Sequence, residues 1–103
     1  MKKLLEMITE AVDISRFKTS KFKRKSTGEG NIEDFKSSAS ALKSLGMNLV
    51  DKVEVSSMAE YGDRRGYYYE ISNVLDRLKD DYKYFGWAEV SVYGRPVIAF
   101  YAK

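Results

Sequence analysis

Apolar side chains in this chain recur first with the period of a helix, then with that of a strand. Leu4, Leu5, Ile8, Ala11 and Val12 fall on one face at 3.6-residue spacing, which predicts an amphipathic helix at the start. A second stripe, Ile32, Phe35, Ala39 and Leu42, predicts a helix over 31–45. Asn31 stands where a cap is expected, Glu33 and Asp34 suit the positive helix end, and Gly46 stops the run. Over 49–55 the period shortens to two through Val53 and Val55, so a strand is expected.

Residues 56–71 admit two readings. In one, 52–61 and 66–71 pair as antiparallel strands across a turn at Gly62, Asp63, Arg64 and Arg65, because Tyr67, Tyr68 and Tyr69 favour a strand. In the other, 57–61 form a short helix. Either way, Asn73 caps a helix with Asp76 at its third position, Val74, Leu75, Leu78 and Tyr82 supply its buried stripe, and Gly86 ends it. At the close of the chain, 87–93 and 97–102 flank Gly94 and Arg95 and read as a β-hairpin, with Pro96 beside the turn.

These elements predict a small single α+β domain: an antiparallel sheet closed by a C-terminal β-hairpin, with packed helices. The length of 103 residues suits one domain. Between the first helix and the second lies a stretch whose basic residues, Arg16, Lys18, Lys21, Lys23, Arg24 and Lys25, are unrelieved by any acid, before Gly28-Glu29-Gly30. It reads as a basic arm or linker over 11–30, leaving 31–103 as the domain. Phe17 and Phe22 within it have two possible uses, stacking on bases or docking on the domain.

The chain has no cysteine and no histidine. Disulfides, thiolate nucleophiles and thiolate metal sites are therefore excluded, and so are the commonest general base and zinc ligand. No spacing of the remaining residues argues for serine–lysine or carboxylate catalysis, for a metal site or for a cofactor. The expectation is a protein that binds and does not catalyse. The net charge of +3 and a pI near 9.0 are compatible with a polyanionic partner. Asp76, Asp80 and Asp81, interleaved with Arg77, Lys79 and Lys83, read as a solvated helix face with spaced ion pairs.

Two groups are candidates for contact with nucleic acid or a protein partner. One is the basic arm, Arg16 to Lys25; the other is Arg64 and Arg65 beside Tyr67, Tyr68 and Tyr69, a pairing of guanidinium groups for phosphates with aromatic rings. The tyrosines equally suit a sheet face that meets a protein partner or a second copy.

The first eleven residues add a different kind of information. Met1, Lys2, Glu6, Ile8, Glu10 and Ala11 resemble the leader of the internal head proteins of T-even-type bacteriophages, a short amphipathic start closing in apolar-x-Glu and a small residue. A protease reading that pattern needs a pocket for an aliphatic side chain and a cationic pocket for a carboxylate. The resemblance implies that 1–10 are a removable capsid-targeting leader, with Ile8 and Glu10 read by the phage prohead protease and Glu10-Ala11 cut. It further implies a virion interior and then the host cytoplasm as locations, and a host defence protein of the restriction type as partner. The apolar run is too short and too interrupted by acids for a secretory signal or a membrane span. Loss of 1–10 removes Lys2, Lys3, Glu6 and Glu10, so the net charge stays +3. The competing reading of this stretch is an ordinary amphipathic helix. Separately, the order helix, strand, short helix, longer helix and hairpin resembles winged-helix domains, which implies a recognition helix over 67–83 and a wing tip at Tyr93, Gly94 and Arg95. Three consecutive tyrosines and the acids Asp76, Asp80 and Asp81 depart from that pattern.

Overall fold

The computed structural model describes residues 13–23, 31–54 and 64–103, the side chains of the last stretch from Tyr67 onward. The α+β expectation holds: helices pack on a three-stranded antiparallel sheet. Its strands are β1 (Asn48–Glu54), β2 (Phe85–Val92) and β3 (Arg95–Ala102), in the order β1-β3-β2. β3 is central and its last six residues are buried, which is why Val97 to Ala102 is an unbroken apolar run and not an alternating one.

The hairpin forms as expected, with the turn shifted by one residue. Tyr93 and Gly94 occupy it, with φ of 52° and 80°, and Val92 pairs with Arg95. Two positive φ values in a two-residue loop match the twist of the flanking strands. Across the sheet, Val90 faces Val97, Ala88 faces Ala99 and Trp87 faces Phe100. β1 pairs with β3 from Asn48 opposite Ala102 to Glu54 opposite Val97, with a bulge between Leu49 and Asp51.

The expected helix over 31–45 is divided. Ile32–Phe35 form a 3-10 turn, 36–38 are extended, and the α-helix α1 is Ala39–Ser44. Ser38, not Asn31, is the cap: its hydroxyl accepts from the Ala41 amide at 3.1 Å. The interruption arises because this segment runs along the open side of β2, where Lys36 bridges Trp87 and the Ser37 amide donates to the Trp87 carbonyl. A sheet hydrogen bond and two apolar anchors, Ile32 and Phe35, outweigh helical periodicity there. Asn31 instead ties the chain to itself: Oδ1 accepts from the Lys23 amide at 2.9 Å and Nδ2 donates to the Lys21 carbonyl at 2.6 Å.

The hairpin reading of 52–61 and 66–71 is overturned, because Arg64–Leu78 form a second helix, α2. Asn73 lies inside it and caps nothing at its start, and Gly86 lies in β2, well past its end. The tyrosine run favours a strand locally, but the helical stripe Ile71, Val74, Leu75 and Leu78 has an apolar face to fill and decides the matter. α2 lies over the sheet face bearing Trp87, as the Tyr67–Trp87 ring contact at 6.3 Å and the Arg77–Asp51 ion pair at 3.1 Å show. Of the solvated ion pairs expected on this helix, Lys79 and Asp76 form one at 2.9 Å, while Arg77 crosses to β1. Ser72 is fully buried in α2, and among the described residues its hydroxyl has no hydrogen-bond partner. Ser72→Ala should therefore leave stability unchanged or raise it by up to about 1 kcal/mol in chemical denaturation, since an unpaired buried hydroxyl is lost and helix propensity rises. A loss above about 1 kcal/mol would show that the hydroxyl is paired after all.

The largest departure concerns the stretch read as an arm. Residues 13–23 are packed into the body: Ile14–Phe17 and Thr19–Lys21 form 3-10 turns, Phe17 is fully buried and Phe22 nearly so. Of the two uses open to these phenylalanines, docking is the one observed. Phe22, Phe35 and Phe85 make a three-way edge-to-face cluster with centroids 5.1–5.9 Å apart. Gly86 is the floor on which Phe17 and Leu42 pack, since a Cβ there would lie 2.6 Å from Leu42 Cδ2, 3.0 Å from the Phe35 carbonyl oxygen and 3.2 Å from Phe17 Cδ1. The first helix at 1–12 and the Gly28-Glu29-Gly30 end lie outside the described residues.

Candidate partner-binding surfaces

The packing of 13–23 changes what its cations are available to do. Arg16 is committed internally: Nε donates to the Asp34 carbonyl at 2.8 Å, a terminal nitrogen donates to the Lys36 carbonyl at 2.9 Å, and the guanidinium lies 4.9 Å from the Phe17 ring centre. It stitches the 3-10 turns together and is not a free phosphate clamp. Lys18, Lys21 and Lys23 are exposed. Lys21 borders a shallow concavity with Asp13, Ser15, Arg16, Asn31, Asp34 and Phe35. Asp13 accepts from the Ser15 amide at 2.9 Å, and its carboxyl is held below its usual range by Ser15, with Lys21 and Lys18 adding to the effect. Asp13 and Asp34 thus offset much of the local positive charge. Arg24 and Lys25 lie outside the described residues, as do Ile8, Glu10 and Ala11.

In the second candidate group, Arg64 and Arg65 open α2 and their side chains lie outside the described set. The tyrosines divide by helical geometry. Tyr67 and Tyr68 turn to the body and Tyr69 turns out, 43 % exposed. Tyr67 donates a short hydrogen bond to Glu89, whose Oε1 also takes Lys36 Nζ at 3.1 Å. Burial first, and then the carboxylate partner, push the Tyr67 hydroxyl far above the usual tyrosine range, so it stays a donor. The Tyr67 hydrogen bond, with Lys36 behind it, holds the Glu89 carboxyl below its usual range. Tyr68 donates to Glu33 at 2.6 Å. Tyr67 and Tyr68 therefore pin α2 to β2 and to the Ile32–Phe35 turn. Tyr69 is the ring of this run that faces outward.

A third surface was approached only through the winged-helix resemblance, as a wing tip. Tyr93 at the hairpin turn is 100 % exposed, and Val92 beside it is 38 % exposed. With Lys52, Glu54, Arg95 and Val97 they surround a concavity of about 590 Å³ on the sheet face opposite Trp87. Strand alternation puts these side chains together: Val92 opposes Arg95, Glu54 opposes Val97, and Lys52 opposes Ala99. Lys52 is separated from Arg95 by more than forty positions in sequence, so only the β1-β3 register brings the two cations to one face. The sequence pattern puts Tyr93 at a strand end, and only the one-residue shift of the turn places it where glycine or asparagine is ordinary.

Among the described residues no group of three or more acidic side chains is placed to hold a metal ion, and no helix is long and apolar enough to cross a membrane. Of the order helix, strand, short helix, longer helix and hairpin that the winged-helix resemblance implies, the described residues give a broken first helix, β1, α2 from Arg64 and the hairpin, and the short helix over 57–61 lies outside them. Set against known proteins, the chain matches no family model, no curated protein and no solved structure.

Proposed function

We propose that this chain is a binding protein carried inside a phage capsid with the genome and delivered into the host cytoplasm, where it occupies a defence enzyme of the restriction type without catalysis. The observation that carries the reading is the leader pattern ending in Ile8-Thr9-Glu10-Ala11. Two further features support it. Asp13 caps the turn leading to fully buried Phe17, so a cut at Glu10-Ala11 leaves these core-committed residues in the mature chain. A chain without histidine or cysteine, bearing a fully exposed aromatic ring beside cations, is equipped for contact more than for reaction.

Intact-mass analysis of the protein from purified virions should give a chain that starts at Ala11. A mass retaining Met1, or particles without the protein, would overturn the reading. The 11–103 form should also capture a restriction-type enzyme from host lysate, and nuclease treatment should leave that capture intact.

A second reading, a nucleic-acid-binding module, is favoured by one specific observation: Tyr93, Arg95 and Lys52 share one face of the sheet. Capture that disappears on nuclease treatment would select it.

A further inference from the structure

Tyr93 combines two unfavourable circumstances. Its φ of 52° is in the left-handed region, which L side chains other than asparagine and aspartate rarely enter, and its ring is wholly exposed to water. Neither is repaid by packing within the described residues. Asparagine followed by glycine would make the same turn at less cost. A strained backbone position that carries an unpacked aromatic ring is what a contact residue looks like when the fold itself has no use for it.

The surroundings indicate what the ring meets. Arg95 and Lys52 stand on the same sheet face, roughly 13 Å apart along the strands for four residues of offset. Val97 supplies an apolar floor between them and Val92 extends it beyond Arg95, while Glu54, opposite Val97, is the acid of the rim. A flat ring at one end, two cations along one line and a shallow apolar bed match a chain of unpaired bases with a phosphate backbone. A duplex fits less well, since its bases are stacked on each other and cannot lie on Tyr93.

We infer that the hairpin face of the sheet is a single-stranded nucleic-acid site, in which Tyr93 stacks on a base while Arg95 and Lys52 hold flanking phosphates. This rests on the nucleic-acid reading and moves its centre from the lysines of 13–23 to the sheet. Glu54, opposite Val97 on the same face, repels phosphates and so keeps them to the Arg95 and Lys52 sides.

The test is fluorescence anisotropy with the full chain, using a dye-labelled mixed-sequence single-stranded DNA and the same sequence as a duplex. The single strand should bind more tightly. Tyr93→Asn is the decisive variant, because it suits the turn: it should keep or raise the Tm while weakening single-strand binding about five- to hundredfold, the range for loss of one aromatic–base stack. Tyr93→Phe should bind as the parent does. Arg95→Ala and Lys52→Ala should each weaken binding and lower the salt dependence by about one phosphate contact. If Tyr93→Asn and Arg95→Ala bind as the parent does, while joint replacement of Lys18, Lys21 and Lys23 by alanine abolishes binding, the sheet site is overturned and the nucleic-acid reading stands. Duplex preference overturns the single-strand assignment. Binding to neither probe overturns both.

Discussion

Phe17→Ala is expected to destabilise the protein by about 3–5 kcal/mol, the range for emptying a fully buried phenylalanine site. Small domains have about 5–15 kcal/mol in total, so the variant should be partly unfolded at modest urea concentrations. The expectation follows from where the ring sits. Its Cδ1 lies against Gly86, where the Phe35 carbonyl and Leu42 also converge, and the turn that carries it is held by Arg16 on the Asp34 and Lys36 carbonyls. Little local backbone can collapse to fill the space, because the opposite wall is Gly86, held in a strand paired with Tyr101 of β3. Equilibrium urea denaturation decides the point. A loss under about 1 kcal/mol would mean that residues 13–23 are a detachable arm, as their charge alone suggests.

The contrast between that charge and that burial explains which parts of the fold were legible in the sequence. The C-terminal hairpin was, because both signals for it are local: apolar runs on either side and a glycine between them. The buried stripe of α2 was as well, since Val74, Leu75 and Leu78 repeat at helical spacing. The start of α2 was not. Three tyrosines carry strand propensity, and what holds them in a helix is tertiary: Tyr67 on Glu89 and Tyr68 on Glu33, partners 22 and 35 residues away. The division of 31–45 was hidden for the same reason, because the competing bond is from Ser37 to Trp87. In 16–25 six cations over ten residues mask two phenylalanines whose spacing fits no regular helix or strand. The candidate surfaces follow the same rule. Clustering in sequence singled out Arg16, Arg64, Arg65 and the tyrosine run, yet Arg16 and Tyr67 are spent on holding the fold. The Tyr93, Arg95 and Lys52 face needed strand register, which no local pattern encodes.

Trp87→Phe should cost about 2–4 kcal/mol, more than the loss of ring area alone. The indole nitrogen donates to the Ile32 carbonyl at 2.8 Å inside the core, and phenylalanine leaves that carbonyl unpaired, a penalty of about 1–3 kcal/mol. The smaller ring also weakens the edge contact with Tyr67 and the attraction of the Lys36 ammonium, which lies 5.3 Å from the indole centre. The consequence should be local before it is global. Residues 31–38 have only a 3-10 turn and an extended link of their own, so their position depends on Trp87 through its side chain and through its carbonyl, which accepts from Ser37. Hydrogen exchange in the variant should therefore speed up first at the Ser37 amide, while amides of the β2-β3 ladder stay protected until global unfolding. Thermal denaturation should show a drop on the order of 10–30 °C. Uniform loss of protection across β2, β3 and Ser37 would count against this account, since it would make the Trp87–Ile32 bond part of one cooperative core and not the latch that holds the 31–38 segment to the sheet.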